Sequence, residues 1–128
     1  MTKTILSEFY FWTHIPFLVA WFLPFFISRS VWPGKLSFQF WFMFIVLCIN
    51  YVWGLMFLLV IKKYVMACPW TTVTQLHRGH SLHDPKNHYH SFVSEMSDRL
   101  GIKISKVFVT CVMLGTFFLV TVQYFVMR

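Results

Sequence analysis

Five histidines, His77, His80, His83, His88 and His90, fall within 14 residues of this sequence, with Cys68 shortly upstream and His14 far ahead of them. Imidazole and thiolate are the groups that zinc, copper or haem iron recruit. The spacing His77-x2-His80-x2-His83 matches no closed zinc knuckle, and no CxxC pair is present to complete one. These seven residues are the candidate ligands for a metal ion or haem, set against the plainer expectation of a hydrated, headgroup-facing loop. Histidine-box membrane oxygenases use HxxxH and HxxHH boxes, and neither occurs here. A metal-dependent reaction would therefore draw ligands from a partner or a second copy.

Other chemistry finds less material. The acids are only Glu8, Asp84, Glu95 and Asp98, and no GxSxG elbow, triad order or phosphate-binding glycine loop is present. No residue is assigned a catalytic role. Asn50 and Gln123 are polar positions inside apolar blocks, where an amide must find a partner, either by knitting helices together or by lining a path for a substrate.

The elements that must position these residues are set by composition. The chain is 58% apolar and 12% charged over 128 residues, against roughly 45–50% and about 25% in soluble domains. Sixteen Phe and six Trp gather in three blocks. The blocks predict an all-α integral membrane fold with transmembrane helices over about 9–27, 38–61 and 107–127, in a single domain. Pro16 and Pro24 predict a kink in the first helix, and Trp32-Pro33-Gly34 a tight hairpin after it. The N-terminus lacks a basic leader, which predicts a retained first helix. Three cysteines in or beside apolar blocks suggest no disulfide framework.

Residues 62–106 form the polar, His-rich loop between helices two and three. Apolar residues continue from Tyr64 to Ala67, so the second helix is expected to project beyond the bilayer as far as Cys68-Pro69, where proline stops it and holds Cys68 extended. Thr71 is then placed to cap a short segment through Arg78. Asp84-Pro85 and Gly101 bracket an expected amphipathic helix from Pro85 to Leu100, with Tyr89, Phe92, Val93, Met96 and Leu100 on its apolar face. Lys and Arg number eight on the side of the N-terminus and this loop and three on the other, which predicts a cytoplasmic N-terminus. His14, about five residues into the first helix and roughly 8 Å deep from the same side, would meet a loop that folded back onto the bundle. The net charge of +7 is thereby assigned to headgroups, not nucleic acid.

This layout resembles a family of small bacterial three-helix membrane proteins of unknown function. The likeness rests on His14 with Phe17, on Cys68-Pro69-Trp70-Thr71, and on His88-Tyr89. It covers most of the chain in topology. Members of that family usually read Cys-Pro-Leu-Thr followed by Leu-Glu-Asn, where this chain has Thr72, Val73, Thr74 and Gln75 and no acid. The resemblance implies a bacterial inner membrane and brings no activity with it.

The expected function is a noncatalytic accessory or assembly subunit of a larger membrane complex, or a homo-oligomer, with the lipid bilayer and other membrane subunits as partners. The alternative is a metal- or haem-binding redox subunit built on His14, Cys68 and the loop histidines. A small channel or transporter is the third class.

Overall fold

A computed structural model describes residues 2–85 and 91–127, and all regular structure within them is helical. The helices are α1 (Thr2–Trp12), α2 (His14–Phe26), α3 (Lys35–Ile61), α4 (Pro69–His77), α5 (Phe92–Arg99) and α6 (Lys106–Val126). Among the described residues three stretches are long and apolar enough to cross a membrane: Thr4–Phe26, Lys35–Ile61 and Lys106–Val126.

The first of these begins earlier than composition suggests, so Glu8 lies inside it, and it is broken at Thr13. Pro16 has no N–H to give the Trp12 carbonyl, which frees the preceding turn. The ring itself is harmless there, because it sits in the first turn of α2, where amides lack helical partners anyway. The Thr13 hydroxyl donates to the Tyr10 carbonyl at 2.7 Å across the break. At the other end, the Lys35 ammonium donates to the carbonyls of Pro24 (3.0 Å) and Ile27, so the first residue of α3 caps the end of α2.

The half of the bundle next to this hairpin is closely packed. Trp21, Phe40, Met43, Val120 and Tyr124 form its core, with Phe40 stacked on Tyr124 at 4.4 Å. The Trp21 indole donates to Thr116 Oγ1 at 3.0 Å, and Gln39 donates to the Trp21 carbonyl at 3.1 Å. Close packing and these cross-helix hydrogen bonds join the three long helices.

The end of α3 overturns the expectation of a helix running on to Cys68. Lys62 takes a left-handed conformation, φ 61°, and the chain reverses. Residues 64–68 are not helical and run back beside α3: Val65 and Ala67 bury against Phe57, and Tyr64 reaches Gly54. Gly54 lies about 10 Å back along α3 from Ile61. The apolar run from Tyr64 to Ala67 is thus explained by packing against the previous helix, not by helix extension. Cys68 is extended (ψ 131°) and Pro69 starts α4, as its chemistry requires.

The amphipathic helix is also shorter than expected. Ser91, not Asp84, caps it, its hydroxyl accepting from the Ser94 amide at 3.1 Å, and Asp84-Pro85 belongs to a turn. Its end is as predicted, at Gly101 with φ 79°. The buried face differs: Phe92 is inside with Ser94 and Ser97, whereas Leu100 is exposed. Residues 86–90, and with them Tyr89, lie outside the described residues.

Candidate functional site: a roofed cavity in the bundle

After the reversal, α4 packs along α1, and α5 joins it. Together they form a roof over the half of the bundle opposite the hairpin. His14, at the start of α2 and buried, is the pivot. Its Nδ1 lies 3.0 Å from the Phe11 carbonyl and 3.1 Å from that of Tyr10, contacts in which the ring nitrogen must donate. That leaves Nε2 as an acceptor for the Thr71 hydroxyl at 3.2 Å. The ring stacks on Phe92 at 4.6 Å, with 7° between planes. Both nitrogens and one face of the imidazole are therefore engaged.

Further contacts secure the roof. The Trp70 indole donates to Thr13 Oγ1 at 2.6 Å and the Trp53 indole to Thr72 Oγ1 at 2.9 Å. His77 stacks on Tyr10 at 5.2 Å. At the outer edge, Glu8 accepts from Arg99 at 2.9 and 3.1 Å and from Arg78 at 3.4 Å. Glu95 accepts from Arg78 at 2.7 Å and from Arg99 at 3.2 Å. The Arg99 guanidinium also lies 4.2 Å from the Phe11 ring centre, a cation–π distance. Two carboxylates and two guanidinium groups thus clamp α4 and α5 to α1.

Beneath the roof lies a cavity of about 410 Å³. Its walls come from α2, α3 and α6 and its ceiling from Met66–Thr71 and Ser91–Val93. Most of the lining is aliphatic or aromatic, and the polar members include His14, Asn50, Cys68, Thr71 and Lys106. Of the non-helical segment after Lys62, Val65 and Ala67 are buried and Met66, Ala67 and Cys68 line the cavity. Burial pushes the Cys68 thiol up from its ordinary value, against hydrogen bonding from Thr71 and Trp70. At neutral pH it is a protonated, weakly nucleophilic thiol.

No protein-family model, curated protein or solved structure matches this chain.

The candidate ligands separate in space. His14 and Cys68 line the same cavity. His77 is held against Tyr10, His80 Nδ1 lies 3.2 Å from an Asp84 carboxylate oxygen, and His83 is exposed. His88 and His90 lie outside the described residues. Among the described residues no three His, Cys, Asp or Glu side chains converge on a point that would hold a metal ion. Thr71 bonds His14 instead of capping α4, so two parts of the motif noted in the sequence, His14 and Cys68-Pro69-Trp70-Thr71, meet directly. The tryptophan-to-threonine bonds and the Glu8 clamp escape sequence reasoning, because their partners are 19 to 95 residues apart. Their one signal is the presence of hydroxyl and indole donors in blocks otherwise poor in hydrogen-bonding groups.

Proposed function

We propose that this chain is a noncatalytic, multi-pass membrane subunit that holds a lipid-like molecule beneath the roof formed by α4 and α5. The observation that carries this reading is the cavity. At about 410 Å³ it falls within the roughly 300–1,000 Å³ of small-molecule sites, which are mostly apolar with a few placed polar groups. A noncatalytic role agrees with the engagement of His14 on both nitrogens, of Glu8 and Glu95 by arginines, and with a protonated Cys68. The setting is a bacterial inner membrane with the N-terminus cytoplasmic, as the basic residues and the family resemblance imply. Outward aromatics such as Trp41, Phe118 and Phe125 suit packing against lipid, further subunits or a second copy, in keeping with an accessory role in a larger complex.

Purification in mild detergent followed by native mass spectrometry and solvent extraction tests the reading. Wild type is expected to retain about one lipid-like molecule per chain, and Leu18→Trp, which fills the cavity, to lose it. Equal retention by both proteins would sink the proposal.

A metal- or haem-holding redox role is the second reading, favoured by the presence of His14 and Cys68 on one cavity. It requires Thr71 to release Nε2 and Cys68 to ionise. A visible spectrum with a Soret band, or stoichiometric metal lost in His14→Ala, would establish it over the first.

A further inference from the structure

The cavity presents one amide for which the described residues supply no partner. Asn50, within α3, lines it, and among the described residues its carboxamide makes no hydrogen bond. Several other polar side chains in the bundle are bonded: Gln39 donates to the Trp21 carbonyl, Thr116 Oγ1 donates to the Val112 carbonyl at 2.8 Å, and His14 is bonded at both nitrogens. A carboxamide has two donors and an acceptor, and leaving them unmet in hydrocarbon is costly. The same cavity is lined by Val46, Leu47, Val109 and Met113, with Thr110 among them. The missing partner is best supplied by whatever fills the cavity.

Depth narrows the chemistry. Asn50 lies about 16 Å back along α3 from Ile61. An ionised headgroup at that level would meet a large desolvation cost, which a neutral amide cannot offset. Lys106, which also lines the cavity, opens α6 and therefore stands at the end of a span, where a charged head would settle instead.

Resting on the ligand-holding reading above, we infer that the occupant is a neutral long-chain amphiphile whose hydroxyl or carbonyl group bonds the Asn50 carboxamide, its chain lying along Val46, Leu47 and Met113. A hydroxyl both donates and accepts, as Asn50 does, and a carbonyl accepts only. Alcohol and ester probes separate these sources.

The test is equilibrium binding of radiolabelled eighteen-carbon probes (oleyl alcohol, methyl oleate, oleate and 9-octadecene) to the full chain in nanodiscs. Binding is measured against Leu18→Trp as the filled-cavity blank. Oleyl alcohol or methyl oleate should bind wild type about three- to tenfold more tightly than octadecene, the range of one net hydrogen bond. Asn50→Leu should abolish that preference, and Asn50→Gln should keep part of it. A melting curve for each variant confirms that it is folded. Equal binding of all neutral probes to wild type, or a preference that survives in Asn50→Leu, overturns the Asn50 assignment. In that case octadecene binding that Leu18→Trp removes still upholds the ligand-holding reading. A preference for oleate that is lost in Lys106→Met but kept in Asn50→Leu overturns the neutral class in favour of an acid at the helix end. Binding of no probe above the blank sinks both readings.

Discussion

Replacing Gly54 by alanine puts the reversal after α3 to a quantitative test. A Cβ at this position would lie 2.8 and 2.9 Å from two carbons of the Tyr64 ring and 3.0 Å from the Val65 carbonyl oxygen. Separations this short force either the ring or the backbone to move, and overpacking of this kind costs about 1–3 kcal/mol. The better helix propensity of alanine offsets about 1 kcal/mol of that. Gly115, on α6, has no heavy atom within 4 Å of the corresponding Cβ, so Gly115→Ala carries the propensity gain without the clash. Propensity cancels between the two variants, which should then differ by about 1–3 kcal/mol. Unfolding in mixed micelles by titration with sodium dodecyl sulfate, followed by tryptophan fluorescence, measures the difference. Adding Tyr64→Ala to Gly54→Ala removes the two ring contacts and leaves the carbonyl, so the double variant should recover only part of the loss beyond the cost of Tyr64→Ala alone. If Gly54→Ala proves as stable as Gly115→Ala, the segment after Lys62 does not lie against α3, and the roof as described is wrong.

Other consequences follow from the same geometry. Thr71→Val removes the donor to His14 Nε2 and should lower stability by about 1 kcal/mol, up to about 3 if the nitrogen stays dry; Thr71→Ser should restore most of the melting temperature. Because burial raises the Cys68 thiol above its usual value, less thiolate exists at any given pH. In a Cys48→Ala, Cys111→Ala background, maleimide labelling should therefore rise at more alkaline pH than for a free thiol, and a curve coincident with the free thiol would contradict that burial. Glu8→Gln weakens ion pairs whose side chains are 20–39% exposed, so solvent screening keeps its effect on stability under about 1 kcal/mol. Hydrogen exchange of α5 amides should nonetheless quicken, and high salt should do the same in wild type; rates indifferent to both would remove the clamp from the account.

Long apolar periodicity made the three spans legible: α3 and α6 begin or end within a few residues of their expected bounds because hydrophobic length alone sets them. Proline chemistry placed the start of α4, and glycine the end of α5. The course from Tyr64 to Ala67 was not legible, since an apolar run reads alike whether it continues a helix or packs back upon one. The direction was decided by Lys62, a residue with no special liking for a left-handed turn. The site was legible in part. His14 could be expected to meet a returning loop, yet its partner is a threonine hydroxyl and not another ligand for a metal. Asn50 was visible as an amide in need of a partner, but whether a helix or a cavity faced it depended on how three helices diverge.

The clamp and the His14 contact join parts of the chain 57 to 91 residues apart, and that separation orders the protein's biogenesis. The long helices α3 and α6 make their own backbone hydrogen bonds and can form as the chain emerges from the ribosome. The roof cannot close until translation has passed Arg99, when α1 can find both α4 and α5. The cavity beneath the roof therefore takes its final form only late in assembly, once all of the segments that line it have been made.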